Sequence, residues 1–403
     1  MPLSKNGFRL AASLALVAIL GPSGIDMYLA SLPHMALELN APYTQIQLTL
    51  TVFLLAMGAG QLLFEPIVDA YGRRKPLLTG LLIFVLASLW AGSSHSIEML
   101  LAARLLQGLA AALTLVVAMS TVRDVAEGAR AAQLFALLMT IEGLAPVMAP
   151  AVGGLVDAHF GWRAVMLLLA GLGVLAWINT LVNLPETLAV TKRLPLTPSS
   201  VIQVYARIFR NFDFLVPALA LSAAFFFLFS YIGGAALVYQ RDYGLSPADF
   251  GLVFGATGVA VLIGAVFCSR SVERFGVARL AVMGVTLMVI GSFLTAASAV
   301  TGLGLIPVAA GMFIALFGLG VAESTLMSLA MASQREALGS TAALLGGLQL
   351  TIGALATPIA GHLAELGASN WCIFLACFSL IVLVLARASA KRAPAEGVAL
   401  AGH

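Results

Sequence analysis

Charge is what this chain has least of. Only 10% of its 403 residues are Asp, Glu, Lys or Arg, while 61% are hydrophobic and the mean hydropathy is +1.03. A soluble domain carries about 25% charged residues, so an ordinary soluble fold is excluded. Cysteine is scarce as well. Cys268, Cys372 and Cys377 show neither metal-ligand spacing nor the pattern of an oxidising compartment, and read as packing residues. The five histidines, His34, His95, His159, His362 and His403, are too scattered for a metal centre. No G-x-x-x-x-G-K-[ST] occurs and the connections are too short for a nucleotide-binding domain, so ATP is not the expected energy source. Nothing supports an enzyme, a cofactor site or a soluble signalling module. A net charge of +3 gives no reason to expect nucleic acid.

What the chain has in abundance is long apolar runs. A hydrocarbon core about 30 Å thick needs about 20 apolar residues per helical crossing. Twelve runs qualify, near 8–32, 45–66, 77–93, 98–121, 133–157, 163–183, 213–237, 250–270, 279–299, 303–331, 341–363 and 370–388. Unbroken runs of this length exclude a barrel, whose strands alternate over about ten residues. The expected fold is an all-α polytopic membrane protein. The first run is too long, and lacks the small-residue cleavage pattern, for a signal peptide, and is expected to stay as helix 1.

Basic residues orient the map. With a cytoplasmic N-terminus, only Arg163 and Arg241 of the 21 Lys and Arg fall outside and Arg104 falls within a span, leaving eighteen inside. The positive-inside rule then puts both termini in the cytoplasm, in a multi-pass protein surrounded by lipid. The longest polar connection divides the chain into a six-helix bundle (1–185), a cytoplasmic linker with an amphipathic piece (186–212), a second six-helix bundle (213–390) and a tail (391–403). "VDAYGRRKPL" after helix 2 is echoed by "VERFGVARLA" after helix 8, with Asp69 answering to Glu273 and Gly72 to Gly276. Two pseudo-symmetric halves of this kind mark secondary transporters, which rock about a central site.

Function is expected where charge enters the membrane, because an ionised group there costs several kcal/mol, of order 2.5–3.5 on insertion scales, unless paired or hydrated. Four positions qualify: Asp26 in helix 1, Arg104 in helix 4, Glu142 in helix 5 and Glu323 in helix 10. Each acid either faces a cavity, where it takes and releases protons, or makes a packing hydrogen bond. Proton uptake and substrate binding at one carboxylate exclude each other, which suffices for exchange. In helix 5, "APVMAPAVGG" joins Pro146 and Pro150 to Gly153 and Gly154, a combination that bends a helix and lets a neighbour approach. Helix 7 carries "AFFFLFSYIGG", aromatic on every face. Phe226 and Tyr231 are its candidates for a cavity wall, and lipid contact is the alternative.

"GQLLFEPIVDAYGRRKPLL" resembles the loop 2–3 signature of the major facilitator superfamily, and "RLLQGLAAALTLVVAMSTVRD" and "APVMAPAVGG" resemble two further signatures of its drug:proton antiporters. With "IDMYLASLP", "GWRA" and "PET", the pattern is similar to the bicyclomycin-resistance and chloramphenicol-efflux branch. The resemblance implies that Asp26 and Arg104 lie near the cavity, as a proton-responsive or a structural pair. It implies that the helix 5 run seals the two halves, although Ala145 and Ala149 stand where Gly is common. It also implies a conformational latch of Glu65, Asp69, Gly72, Arg73 and Asp124, in which Asp69 meets the N-terminus of helix 11 near Gly339 and Ser340 while Arg73 pairs with Asp124. Two residues depart from the family pattern: Glu65 replaces a Gly and Ala70 an Arg. Glu65 either crowds the contact of helices 2 and 11, finds a basic partner there, or snorkels to water.

The resulting expectation is a monomeric exporter in a bacterial inner membrane, driven by the proton gradient and moving small amphipathic drugs, phenicol-type or cationic. The alternative is an exporter of an endogenous metabolite such as a siderophore or amino-acid derivative.

Overall fold

The computed structural model describes residues 5–126, 128–193, 198–333 and 338–392. The expected tail from residue 393 and Arg335, one of the inner-side cations, lie outside the described residues. Twelve helices are long and apolar enough to cross a membrane: α1 (Leu10–Glu38), α2 (Tyr43–Tyr71), α3 (Arg74–Gly92), α4 (Ile97–Val125), α5 (Gly128–Phe160), α6 (Trp162–Asn183), α7 (Phe212–Asp242), α8 (Pro247–Phe275), α9 (Val277–Val300), α10 (Leu305–Ala332), α11 (Leu338–Glu365) and α12 (Ala368–Arg392). No strand occurs among the described residues. Most helices run past the apolar stretches that announce them. Thus α2 continues to Tyr71 and α8 to Phe275, carrying Asp69, Glu273 and Arg274 on their ends.

Local chemistry sets the boundaries. Ser96 and Ser246 accept the Met99 and Asp249 amides at 3.3 and 3.1 Å and so cap α4 and α8, while Asn211 caps α7 through the Asp213 amide at 2.9 Å. At the sequence echo, α2 and α8 both end on a glycine of positive φ, Gly72 at 92° and Gly276 at 76°. Their amides return to Val68 and Val272 at 3.1 and 2.8 Å, and a residue with a Cβ would be strained in that conformation.

The same pairing repeats in each half: α2 packs on α4 as α8 does on α10, α3 on α4 as α9 on α10, and α3 on α6 as α9 on α12. The two most extensive contacts between the halves, α5 with α8 and α2 with α11, also correspond under the pseudo-twofold. A linker helix, Pro198–Phe209, lies between the bundles. The end of the molecule carrying the Arg73–Arg74 turn is called the basic end below.

Candidate functional site

α1 is interrupted. It runs helical to Asp26, tightens into a 3-10 turn at Leu29–Ser31 and resumes at Leu32. Arg104 on α4 reaches this break. Its Nη2 donates to the Gly24 carbonyl at 2.8 Å and its Nη1 to Gln107 Oε1 at 2.5 Å. The guanidinium also lies 4.3 and 4.2 Å from the ring centres of Tyr28 and Phe53. Gln107 in turn donates to Ser88 Oγ at 2.7 Å. Arg104 is fully buried, and two aromatic faces with two neutral acceptors hold its charge.

The expected Asp26–Arg104 pair is therefore not made. Asp26 follows Gly24 by two positions, about 200° further round the helix, so the carbonyl and the carboxylate face different ways. Asp26 is 4% exposed, and no hydrogen bond or ion pair reaches it among the described residues.

Glu142 and Glu323 are brought together although they belong to different halves. Glu323 lies close enough to act electrostatically on the Glu142 carboxylate, and Glu142 Oε1 is buried without a hydrogen-bond partner among the described residues. No cation compensates either acid among the described residues. α8 is the wedge that sets the spacing: Val261 and Leu262 pack against Gly320 and Gly143, one turn from Glu323 and next to Glu142 respectively. Burial of each acid, with Glu323 acting on Glu142, disfavours a state with both ionised unless a proton or cation is bound.

The helix 5 signature lies on the contact between halves. A side chain at Gly154 would strike the Pro247 carbonyl of α8, and one at Gly153 the Met27 carbonyl of α1. The reciprocal glycines, Gly251 and Gly255, press on the carbonyls of Pro150 and Val147, and Gly258 approaches that of Pro146. The α8 glycines were missed in the sequence, although "FGLVFGATG" displays their helical spacing.

Opposite the basic end, polar bonds also join the halves. Tyr43 and Gln47 of α2 both donate to the Gly233 carbonyl, at 3.1 and 2.7 Å. Thr51 meets Thr357 at 2.6 Å, and Gln240 donates to the Ala30 carbonyl at 2.8 Å. The spacing of four in Tyr43, Gln47 and Thr51 was a readable stripe that sequence reasoning passed over. The "GWRA" residues act within one half: Trp162 donates to Glu38 Oε2 at 2.6 Å and Arg163 pairs with Glu38.

At the basic end Arg73 pairs with Asp69 at 2.6 Å and with Asp124 at 2.9 Å. Burial works against its charge, but the bonds to Asp124 and Asp69 outweigh it and raise the guanidinium above its ordinary value. Asp69 thus faces its own half, and the acid that meets α11 is Glu65. Glu65 is buried, lies 3.5 Å from Arg123, and has its Oε1 where a Cβ on Gly339 would sit. A helix turn separates the two acids, and the one nearer mid-helix faces the partner bundle. Glu186 of "PET" accepts the Arg73 and Arg74 amides at 2.9 and 3.2 Å, a negative charge on the N-terminus of α3. Burial opposes its ionisation, but the amides of Arg73, Leu188 and Arg74, helped by Arg193, hold its carboxyl below the usual range.

Two cavity candidates face elsewhere. Phe226 stacks on Phe378 of α12 with ring centres 4.3 Å apart. Tyr231 is buried between Phe254 of α8, at 5.2 Å, and Trp371 of α12, at 6.0 Å. α7 is apolar all round, so its pattern cannot tell the inward face from the others. No group of three potential metal ligands occurs among the described residues.

Twelve crossings in two related bundles, meeting through α2–α11 and α5–α8, define a transporter of small molecules. Residues 14–358 match the model of the Major Facilitator Superfamily, and the chain belongs to that family, on its drug-efflux branch. It is 35% identical to an uncharacterized MFS-type transporter, YdgK, of Bacillus subtilis (strain 168), over 89% of this chain and 90% of that protein. It is 30% identical to a chloramphenicol resistance protein of Pseudomonas aeruginosa, over 96% and 93%. Among solved structures, a D-xylose–proton symporter superposes with a TM-score of 0.75 at 15% identity, covering 94% of this chain and 97% of that one. The protein is accordingly a multi-pass membrane transporter and not an enzyme.

Proposed function

We propose that the protein exports small amphipathic drugs across a bacterial inner membrane in exchange for protons, by alternating access, as a monomer with both termini and the basic end in the cytoplasm. The observation that carries this reading is the approach of Glu142 and Glu323 from opposite halves, with no compensating cation among the described residues. A proton on the pair relieves the repulsion in one arrangement of the halves. Separation or hydration of the acids in the other arrangement releases it, and a cationic or hydrogen-bonding substrate competes for the same charge. Asp26, buried behind the closed end opposite the basic turn, is a second proton-carrying position. The chloramphenicol resistance protein among the relatives supports a phenicol-type substrate.

The test is uphill flux in proteoliposomes under an imposed pH gradient, with chloramphenicol and a lipophilic cation as probes. Accumulation that collapses with a protonophore is expected. Equal flux with and without the gradient would overturn proton coupling.

A further inference from the structure

Pro66 lies within α2 and has no N–H, so the Leu62 carbonyl loses the donor that an unbroken helix would give it. That carbonyl instead accepts the Tyr205 hydroxyl at 3.2 Å. Tyr205 belongs to the linker helix, which also packs on α7 and α11 of the other half. The connection between the bundles is therefore bonded to α2 less than one turn from Glu65, the side chain that meets Gly339 at the start of α11. Burial, with the Glu65 and Asp69 carboxylates nearby, pushes the Tyr205 phenol up from its ordinary value, so it remains a neutral donor at physiological pH.

We propose that Tyr205 is a positioning residue of the transport cycle: it ties the linker helix to the proline break in α2 and thereby holds the basic ends of α2 and α11 together. The linker is then a strap across the two halves. Opening of the basic end moves α2 away from α11, and the strap, anchored on both, must release the Leu62 carbonyl to water. The bond exists in one state only, which is the condition for a contact to bias an equilibrium. The inference rests on the alternating-access reading above.

The experiment uses the full-length protein in lipid nanodiscs, spin-labelled through Tyr71→Cys on α2 and Ala332→Cys on α10, both exposed positions. Distance distributions between the labels report the basic end. Tyr205→Phe, which removes only the hydroxyl, is expected to raise the ratio of long to short distances about fivefold, the factor for one hydrogen bond of ordinary strength. Pro66→Ala restores an N–H to the Leu62 carbonyl. In that background Tyr205→Phe is expected to change the ratio less than twofold. An equal shift in both backgrounds would mean that Tyr205 acts by packing alone and would overturn the strap. Two distances in the parent protein, unmoved by Tyr205→Phe, would overturn it as well. A single distance at every pH and with either probe substrate would instead remove alternating access, and the strap with it.

Discussion

Arg104 is held by a freed carbonyl, an amide oxygen and two aromatic faces, while its buried Nε has no hydrogen-bond partner among the described residues. Lysine cannot reproduce a planar fork stacked between rings. Both Arg104→Ala and Arg104→Lys are therefore expected to lower the thermal midpoint in detergent and to impair export, the alanine variant costing about 2 kcal/mol or more. A role as a mere counter-charge would spare the lysine variant. Asp26→Asn, by contrast, removes no bond and is expected to leave folding unchanged while abolishing uphill export; measuring yield, melting and flux together separates the two residues, and undiminished uphill flux would take Asp26 out of coupling. The intramembrane charges themselves were legible, because each is alone in an apolar run. Their partners were not. Whether Asp26 meets Arg104 depends on the break in α1, and whether Glu142 meets Glu323 depends on how α8 wedges between two helices far apart in the chain.

Helices 2, 5, 8 and 11 make the main contacts between the halves. Gly154→Val places a side chain against the Pro247 carbonyl and is expected to cost about 1–3 kcal/mol by overpacking and to abolish most flux. Gly171→Ala, with no atom within 4 Å of the added Cβ, is the matched control and should be silent. At the basic end, Glu65→Gln is expected to shift the inter-half equilibrium more than Asp69→Asn, since Asp124 still holds Arg73 when Asp69 is neutral. Comparing the two variants by distance measurement decides which acid faces the partner bundle. Glu186→Gln weakens the start of α3 by about 0.3–1 kcal/mol, toward the low end because the side chain is 31% exposed. As the carboxyl of Glu186 is depressed in the folded protein, its contribution is present above the ordinary carboxylate range and is lost as pH falls through the depressed value. A melting series from pH 7 down to acid should show the wild type and Glu186→Gln converging. Element positions were readable from apolar runs, and the close approach at α5 from its prolines and glycines together with the family resemblance. Glu65 was legible as a departure with three readings, crowding the contact of helices 2 and 11, a basic partner there, or snorkelling, and the structure puts it beside Gly339 and Arg123. What the family pattern misdirected was Asp69, whose side chain turns to Arg73.

Across the whole molecule the halves are joined at both ends in this conformation: by Tyr43, Gln47 and Thr51 on one side, and by Glu65 and the linker on the other. The pseudo-twofold was visible in a single loop echo, and the structure extends it to helix contacts that no sequence pattern carries. Reporter fusions after Lys75 and Arg210 should read cytoplasmic and one after His95 periplasmic, as the basic residues require; a periplasmic signal at Lys75 would invert the map. The central claim is that substrate and proton compete for carboxylates shared between the halves. Its most direct test is the number of protons released into weakly buffered solution when chloramphenicol or a lipophilic cation is added to the purified protein, followed with a pH-sensitive dye. The account predicts release of about one proton per substrate bound by the wild type, and none by Glu142→Gln/Glu323→Gln while that variant still binds. Release that is undiminished in the double variant, or absent from a wild type that binds, would contradict it.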